Sequence, residues 1–368
     1  MKSLIFLIKP ASSLCDMRCR YCFYHDISDI REVKSMGIMT QNTAEALIRA
    51  AFTSVDPGGF VQFTFQGGEP VLASLDFFRS FLALEETYRP RNVQVGHSIQ
   101  TNGLHLNEEW AQFLKQHDFL VGLSIDGNQP IHDAHRTDAA GNGTWDRAVS
   151  ALALLDRYGV ETNLLCVVSA AVAKNPQKVY ASLRKLGNHP LQFIPCLDPM
   201  EAQRGEESYS LKPEAYGRFL CSLFDCWYRD WKAENYVSIR TFDDYLRILM
   251  RLPPSTCAAS GACGSYLVVE GDGGLYPCDF YVLDQWKIGN IREMSVEEAL
   301  SSAASIRFVQ ESALRPENCK NCVWLPLCRG GCRRDWTPQR RNYYCTSFQA
   351  FFAHSLPRLR EMAMAALR

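Results

Sequence analysis

Three cysteines within eight residues, Cys15-x3-Cys19-x2-Cys22, constrain this chain more than any other feature. Thiolates this close in sequence can hold a metal ion or an iron–sulfur cluster. Three is one short of the four that complete a cubane cluster's coordination. A cluster held this way keeps one iron open to a small molecule. A zinc site is the competing reading; zinc takes four protein ligands, and His25 is the nearby candidate for the fourth.

The chain has 15 cysteines in 368 residues, an odd count. A disulfide scaffold usually exceeds about 8–10% Cys in a short secreted chain, so tight local spacings point instead to metal sites in a reducing, cytoplasmic setting. A net charge of −1 gives no general attraction to nucleic acid or membrane. Arg329, Arg333, Arg334, Arg340 and Arg341 are basic, but no broader stripe supports a nucleic-acid surface, and they flank cysteines. The apolar run Leu4–Ile8 is broken by Lys9 and Pro10, too short for a signal peptide, and reads as a buried first strand. No run approaches the ~18 apolar residues of a membrane span.

Up to about residue 235 strands alternate with helices. Strand-like runs occur at Leu4–Ile8, Phe60–Phe65, Val93–His97, Phe119–Ser124, Glu161–Val168 and Leu191–Pro195. Trp145, Val149, Leu152 and Leu155 share one helical face that Gly159 ends; Asn107 and Asn175-Pro176 are placed as helix starts. Six βα units predict a parallel sheet wrapped by helices. A closed eight-unit barrel takes ~250 residues, so an open, partial (β/α)6 TIM-like barrel fits. Turn-forming and polar residues follow the strands, on the rim where such barrels carry their sites: the three-cysteine loop, Gln66-Gly-Gly-Glu-Pro70, Gln100-Thr-Asn-Gly103, Ser124-Ile-Asp-Gly127 and Cys196-Leu-Asp-Pro199.

The cysteine triplet after the first strand, with Tyr21 before its third cysteine, resembles the signature of radical S-adenosylmethionine enzymes, and Gly67-Gly-Glu-Pro70 resembles that family's methionine-binding segment. The resemblance implies that Cys15, Cys19 and Cys22 hold a [4Fe–4S] cluster whose open iron binds S-adenosylmethionine. It places the cofactor contacts at Tyr21, Gly67, Gly68, Glu69, Pro70, Ser124, Arg136 and Leu197.

Beyond residue 235 the alternation stops and cysteines return at Cys257, Cys263 and Cys278, then Cys319, Cys322, Cys328, Cys332 and Cys345. Eight thiols suffice for two sites of four, and spacing does not tell zinc from iron–sulfur. Tyr266–Pro277 reads as a hairpin turning at Gly271–Gly274. The spacing resembles the SPASM extension. It implies two auxiliary [4Fe–4S] clusters, one on Cys257, Cys263, Cys278 and Cys332, the other on Cys319, Cys322, Cys328 and Cys345, for three clusters in all. The expected domains are 1–235, the barrel, and 236–368, the SPASM domain with a C-terminal helix over about 347–367. Cys166, Cys196, Cys221 and Cys226 read as packing thiols.

Ile8-Lys-Pro-Ala-Ser-Ser13, Arg20-Tyr-Cys-Phe-Tyr-His25, Phe65–Pro70, Ser98–Gly103, Tyr276–Leu283 and Asn342-Tyr-Tyr-Cys345 are similar to segments of anaerobic sulfatase-maturating enzymes. These oxidise a Cys or Ser of an unfolded sulfatase polypeptide, within Cys/Ser-x-Pro/Ala-x-Arg, to Cα-formylglycine. The resemblance implies Asp279 as proton acceptor, Tyr24 and Gln66 facing the substrate, and a flavodoxin or ferredoxin as electron donor. A SPASM enzyme that cross-links or epimerises a ribosomal peptide is the alternative. The first strand begins too near Met1 to leave room for the peptide-recognition domain many of those carry. A metal-binding adaptor is a third reading, against which the open coordination position counts.

Overall fold

The computed structural model describes residues 1–367 and forms two compact units. The first comprises Met1–Ser124, Thr137–Thr162 and Gly264–Val309; the second comprises Ile125–Arg136, Asn163–Cys263 and the chain from Gln310. Compactness therefore does not follow chain order, because a late hairpin packs with the first strand.

In the first unit, β1 (Ser3–Ile8) pairs in parallel with β2 (Phe60–Phe65), β2 with β3 (Gln94–Thr101), and β3 with β4 (Phe119–Ser124). On its other edge β1 pairs in parallel with β7 (Leu267–Val269). That strand turns back through β8 (Gly274–Tyr276) to β9 (Gly289–Asn290). Parallel neighbours need crossover connections, and helices Gln41–Ser54, Leu75–Tyr88 and Glu108–Gln116 supply them. Side chains alternate across a strand, so Val61, Phe63 and Phe65 are buried under the helices, where Phe63 meets Phe81 edge-on at 5.2 Å. Gln62, Thr64 and Gln66 take the opposite face, partly open. This unit's core is aromatic; its other face is polar.

The second unit carries β5 (Thr162–Val168), paired in parallel with β6 (Leu191–Pro195). The helix Pro213–Lys232 lies beside the C-terminal helix Cys345–Ala366 and runs in the same direction, with Tyr216 on Tyr344 and Phe224 on Phe351. The α/β fold with a parallel sheet agrees with the expected class. The expected strands match within a residue or two, apart from β3. It continues past His97 to Thr101, because Gln100 and Thr101 keep their ladder with Gly122 and Leu123 of β4. Asn107 caps its helix by accepting from Trp110 N–H at 3.0 Å. Asn175 precedes its helix without capping it; its amide donates to Ala171 O instead. The C-terminal helix starts at Cys345, two residues before its expected start. Among the described residues no helix is long and apolar enough to cross a membrane.

Candidate active site

The cysteine loop leaves β1 and ends at Cys22, which precedes the short helix Phe23–Asp29 without a side-chain cap. Its backbone is tied down locally: Arg18 N–H donates to Thr137 O at 2.8 Å, and the Arg18 guanidinium to Cys15 O and Met17 O. Met17 N–H points at Cys15 Sγ, 3.4 Å away. All three thiols are partly exposed. Gly67–Pro70 lies directly against this loop, with Glu69 N–H donating to Leu14 O at 2.8 Å. Gly68 has φ +55°, and a Cβ there would sit 2.3 Å from Leu14 O, so only glycine allows the approach.

Glu69 is buried. Oε1 accepts from Thr101 Oγ1 at 2.7 Å and Val71 N–H at 3.2 Å, and Oε2 from Asn102 N–H at 2.8 Å. Burial pushes its carboxyl up to about 7 despite these donors. Asn102 continues the chain of contacts to Asp16, beside Cys15, at 2.8 Å. Three rim loops are thus fastened into one platform. Among the described residues no three His, Cys, Asp or Glu side chains converge as ligands of one metal ion would. Thiolates serving a cluster bind separate irons and stand further apart, so a three-thiol loop beside a glycine cradle fits a cluster with an open iron.

Gly68→Ala should therefore lose at least about 2 kcal/mol of stability, from left-handed strain plus the clash with Leu14. Gly58, at φ +80° with nothing within 4 Å of a built Cβ, is the control for strain alone. Denaturation midpoints should fall further for Gly68→Ala than for Gly58→Ala; equal losses would refute the close packing.

A second constellation stands in the same unit. Asp279 follows Cys278 in the turn after the hairpin and is 4% exposed, not the water-facing turn carboxylate that its sequence context also allows. Tyr24 Oη donates to Asp279 Oδ2 at 2.6 Å, and Gln66 Nε2 donates to Tyr24 Oη at 2.7 Å. Oδ1 is buried without a hydrogen-bond partner. Burial pushes the carboxyl up to about 6, with Lys9 and Tyr24 opposing. Tyr266 Oη lies 3.5 Å from Cys278 Sγ and accepts from Asp279 N–H at 3.4 Å. Tyr21 is buried, and Ser124 Oγ accepts from Gln100 Nε2 at 3.1 Å.

In the second unit Arg136 is buried rather than on the surface, its Nε 3.0 Å from Asp126 Oδ2. Asp126 Oδ1 also accepts from Val167 N–H at 2.8 Å. His132 Nδ1 accepts from Asp126 N–H at 3.2 Å, which calls for the neutral ring; burial, then the Arg136 charge, holds it down to about 4. The unfolded chain therefore takes up this proton first, and stability should fall as pH drops from about 6.5 toward 4. His132→Asn should flatten that slope in denaturation midpoints; an unchanged slope would remove His132 as its source. Leu197 follows β6 and Cys196, whose carbonyl accepts from Tyr344 Oη at 3.3 Å; Asp198 binds Ser210 Oγ and Gly205 N–H.

Seven of the later cysteines belong to this unit. Cys319, Cys322, Cys328 and Cys345 are near enough for their thiols to interact electrostatically, as are Cys257 and Cys263. Cys332 Sγ accepts from Arg334 N–H. Arg315, which stands in no motif, donates to Gly261 O, Ser312 O and Arg329 O. It joins the turn after Cys257 to the turn after Cys328. No motif marks it; an arginine between cysteine pairs was the one available signal. Cys166, Cys196 and Cys226 are buried as packing thiols, while Cys221 is only partly so.

Residues 10–172 match the radical SAM superfamily, and residues 257–323 match SPASM, an iron–sulfur cluster-binding domain. The chain is 45% identical over 368 residues to the cysteine-type anaerobic sulfatase-maturating enzyme of Clostridium novyi (strain NT), covering 99% of this chain and 98% of that one. It is 32% identical over 356 residues to the serine-type enzyme of Klebsiella pneumoniae, covering 96% and 88%. The solved structure of native anSMEcpe with bound AdoMet and Cp18Cys peptide superposes with a TM-score of 0.93 at 41% identity, covering 99% of each chain.

Proposed function

Because the chain belongs to the anaerobic sulfatase-maturating enzymes, we propose that it is a radical S-adenosylmethionine oxidoreductase that converts a sulfatase cysteine to Cα-formylglycine. The higher identity to the cysteine-type relative supports cysteine over serine. The observation that carries the reading is Asp279: a buried carboxylate with one oxygen fixed by Tyr24 and the other lacking a partner.

Cys15, Cys19 and Cys22 would hold the first cluster, with Gly67–Pro70 and Ser124 lining the place of the cofactor in this unit. Arg136 and Leu197 remain proposed cofactor contacts. The eight later cysteines would hold the auxiliary clusters, and 1–235 and 236–368 remain the proposed functional domains. When bound, S-adenosylmethionine at the first cluster supplies a radical that takes hydrogen from the substrate Cβ, and the auxiliary clusters supply an electron acceptor.

The protein's own work is positioning and proton transfer. Gln66 and Tyr24 orient Asp279, and Asp279 Oδ1 takes the substrate thiol proton, so the carbon left beside sulfur can give up its second electron. The reaction removes two electrons and two hydrogens, one as an atom and one as a proton, to give a thioaldehyde; water then adds to its carbon and the sulfur leaves as hydrogen sulfide, giving the aldehyde. The proposed electron donor is a flavodoxin or ferredoxin.

With reconstituted enzyme, reductant and two peptides differing only in Cys or Ser at the target, kcat/KM should be several-fold higher for Cys. A preference for Ser would overturn the cysteine assignment.

A further inference from the structure

Lys9 is a buried charge beside the Asp279, Tyr24 and Gln66 set. It follows β1, is 2% exposed, and its Nζ lies 3.0 Å from Glu270 Oε1. Glu270 is fully buried and also pairs with Arg31 at 2.7 Å. Desolvating a lysine is costly, and a buried pair is often no better than apolar residues of the same volume. Glu270 also has Arg31, and the Lys9 charge acts on Asp279 as well, so the ammonium serves more than the Glu270 pair. Two further contacts show what the ammonium faces. Nζ stands 5.1 Å over the ring of Tyr24, within cation–π range. Gly67, at the edge of the site, leaves space for the lysine stem: a Cβ there would lie 2.6 Å from Lys9 Cε.

The geometry points to Lys9 as a positioning residue for proton removal: its ammonium holds the Tyr24 ring so that the hydroxyl stays on Asp279 Oδ2 and Oδ1 stays free for the substrate thiol. The stem passes through the space Gly67 leaves, the head is held by Glu270, and the ring lies under the head. The three contacts lie on different segments, namely the loop after β2, the helix after the cysteine loop and the β7–β8 turn, and each meets Lys9 at the end of β1. The inference rests on Asp279 as the proton acceptor.

The test uses reconstituted holoenzyme carrying Lys9→Met, Lys9→Met with Glu270→Gln, and Asp279→Asn. Lys9→Met should lower aldehyde formation about tenfold or more, raise 5′-deoxyadenosine formed per aldehyde above one, and leave iron content unchanged. In its crystal structure the Tyr24–Asp279 contact should lengthen from 2.6 Å. The double variant, which weakens the demand for a countercharge, should regain melting temperature but not coupling. Coupling restored together with melting temperature, or an unmoved Tyr24 in Lys9→Met, would reduce Lys9 to a structural ion pair and overturn the inference. Normal turnover of Asp279→Asn would instead sink the reading on which it rests.

Discussion

Asp279→Asn is expected to cut formylglycine formation by about 10²–10⁴-fold, the usual contribution of a positioned general base. The exchange keeps size and the contact with Tyr24, so packing changes little. What it removes is the capacity to take a proton at a position where Oδ1 has no other partner. Burial already disfavours the ionised carboxyl, so a neutral amide of the same size should leave the variant about as stable as the parent. All cluster iron should be retained, and 5′-deoxyadenosine should still form. A variant that lost activity by losing iron would show a structural role only; full activity would remove Asp279 from the mechanism.

The larger effect is expected at the first cysteine loop. Cys19→Ala should lower iron by about four per chain, one cubane's worth, and bring S-adenosylmethionine cleavage below detection. The remaining two thiols cannot hold a cluster with three protein-ligated irons. The auxiliary sites should keep their iron, because seven of their eight proposed ligands lie in the second compact unit and none lies in the loop. Iron loss across all sites would mean that the first loop supports the whole fold. Undiminished cleavage would mean that the open coordination position is elsewhere.

The strands were legible because period-two and helical patterns are local, and β2 keeps its Phe63/Phe65 face under helices as its alternation requires. The rim motifs were legible because glycine and cysteine are constrained by backbone approach and by ligation, as at Gly68. What could not be read is set by contacts distant in sequence. Nothing near Leu267 announces that β7 joins β1, since the pairing spans the chain. For the same reason Asp279 could be a water-facing turn residue until Tyr24, 255 residues away, is seen donating to it. Arg136 differs in that its partner Asp126 is only ten residues away and within Ser124-Ile-Asp-Gly127; that motif shows a turn and not the ion pair that buries the arginine. Lys9 and Arg315 were overlooked because lone basic residues are ordinarily solvated. Only burial against Glu270, or against three carbonyls, sets them apart.

The most direct measurement uses a sulfatase-type peptide whose target cysteine carries deuterium on Cβ, incubated with reconstituted enzyme, reductant and S-adenosylmethionine. Peptide aldehyde and 5′-deoxyadenosine should appear in a one-to-one ratio, with one deuterium from Cβ recovered in the deoxyadenosine. Deoxyadenosine without deuterium, or deuterium transfer that yields a cross-linked or epimerised peptide in place of an aldehyde, would contradict formylglycine synthesis at this site.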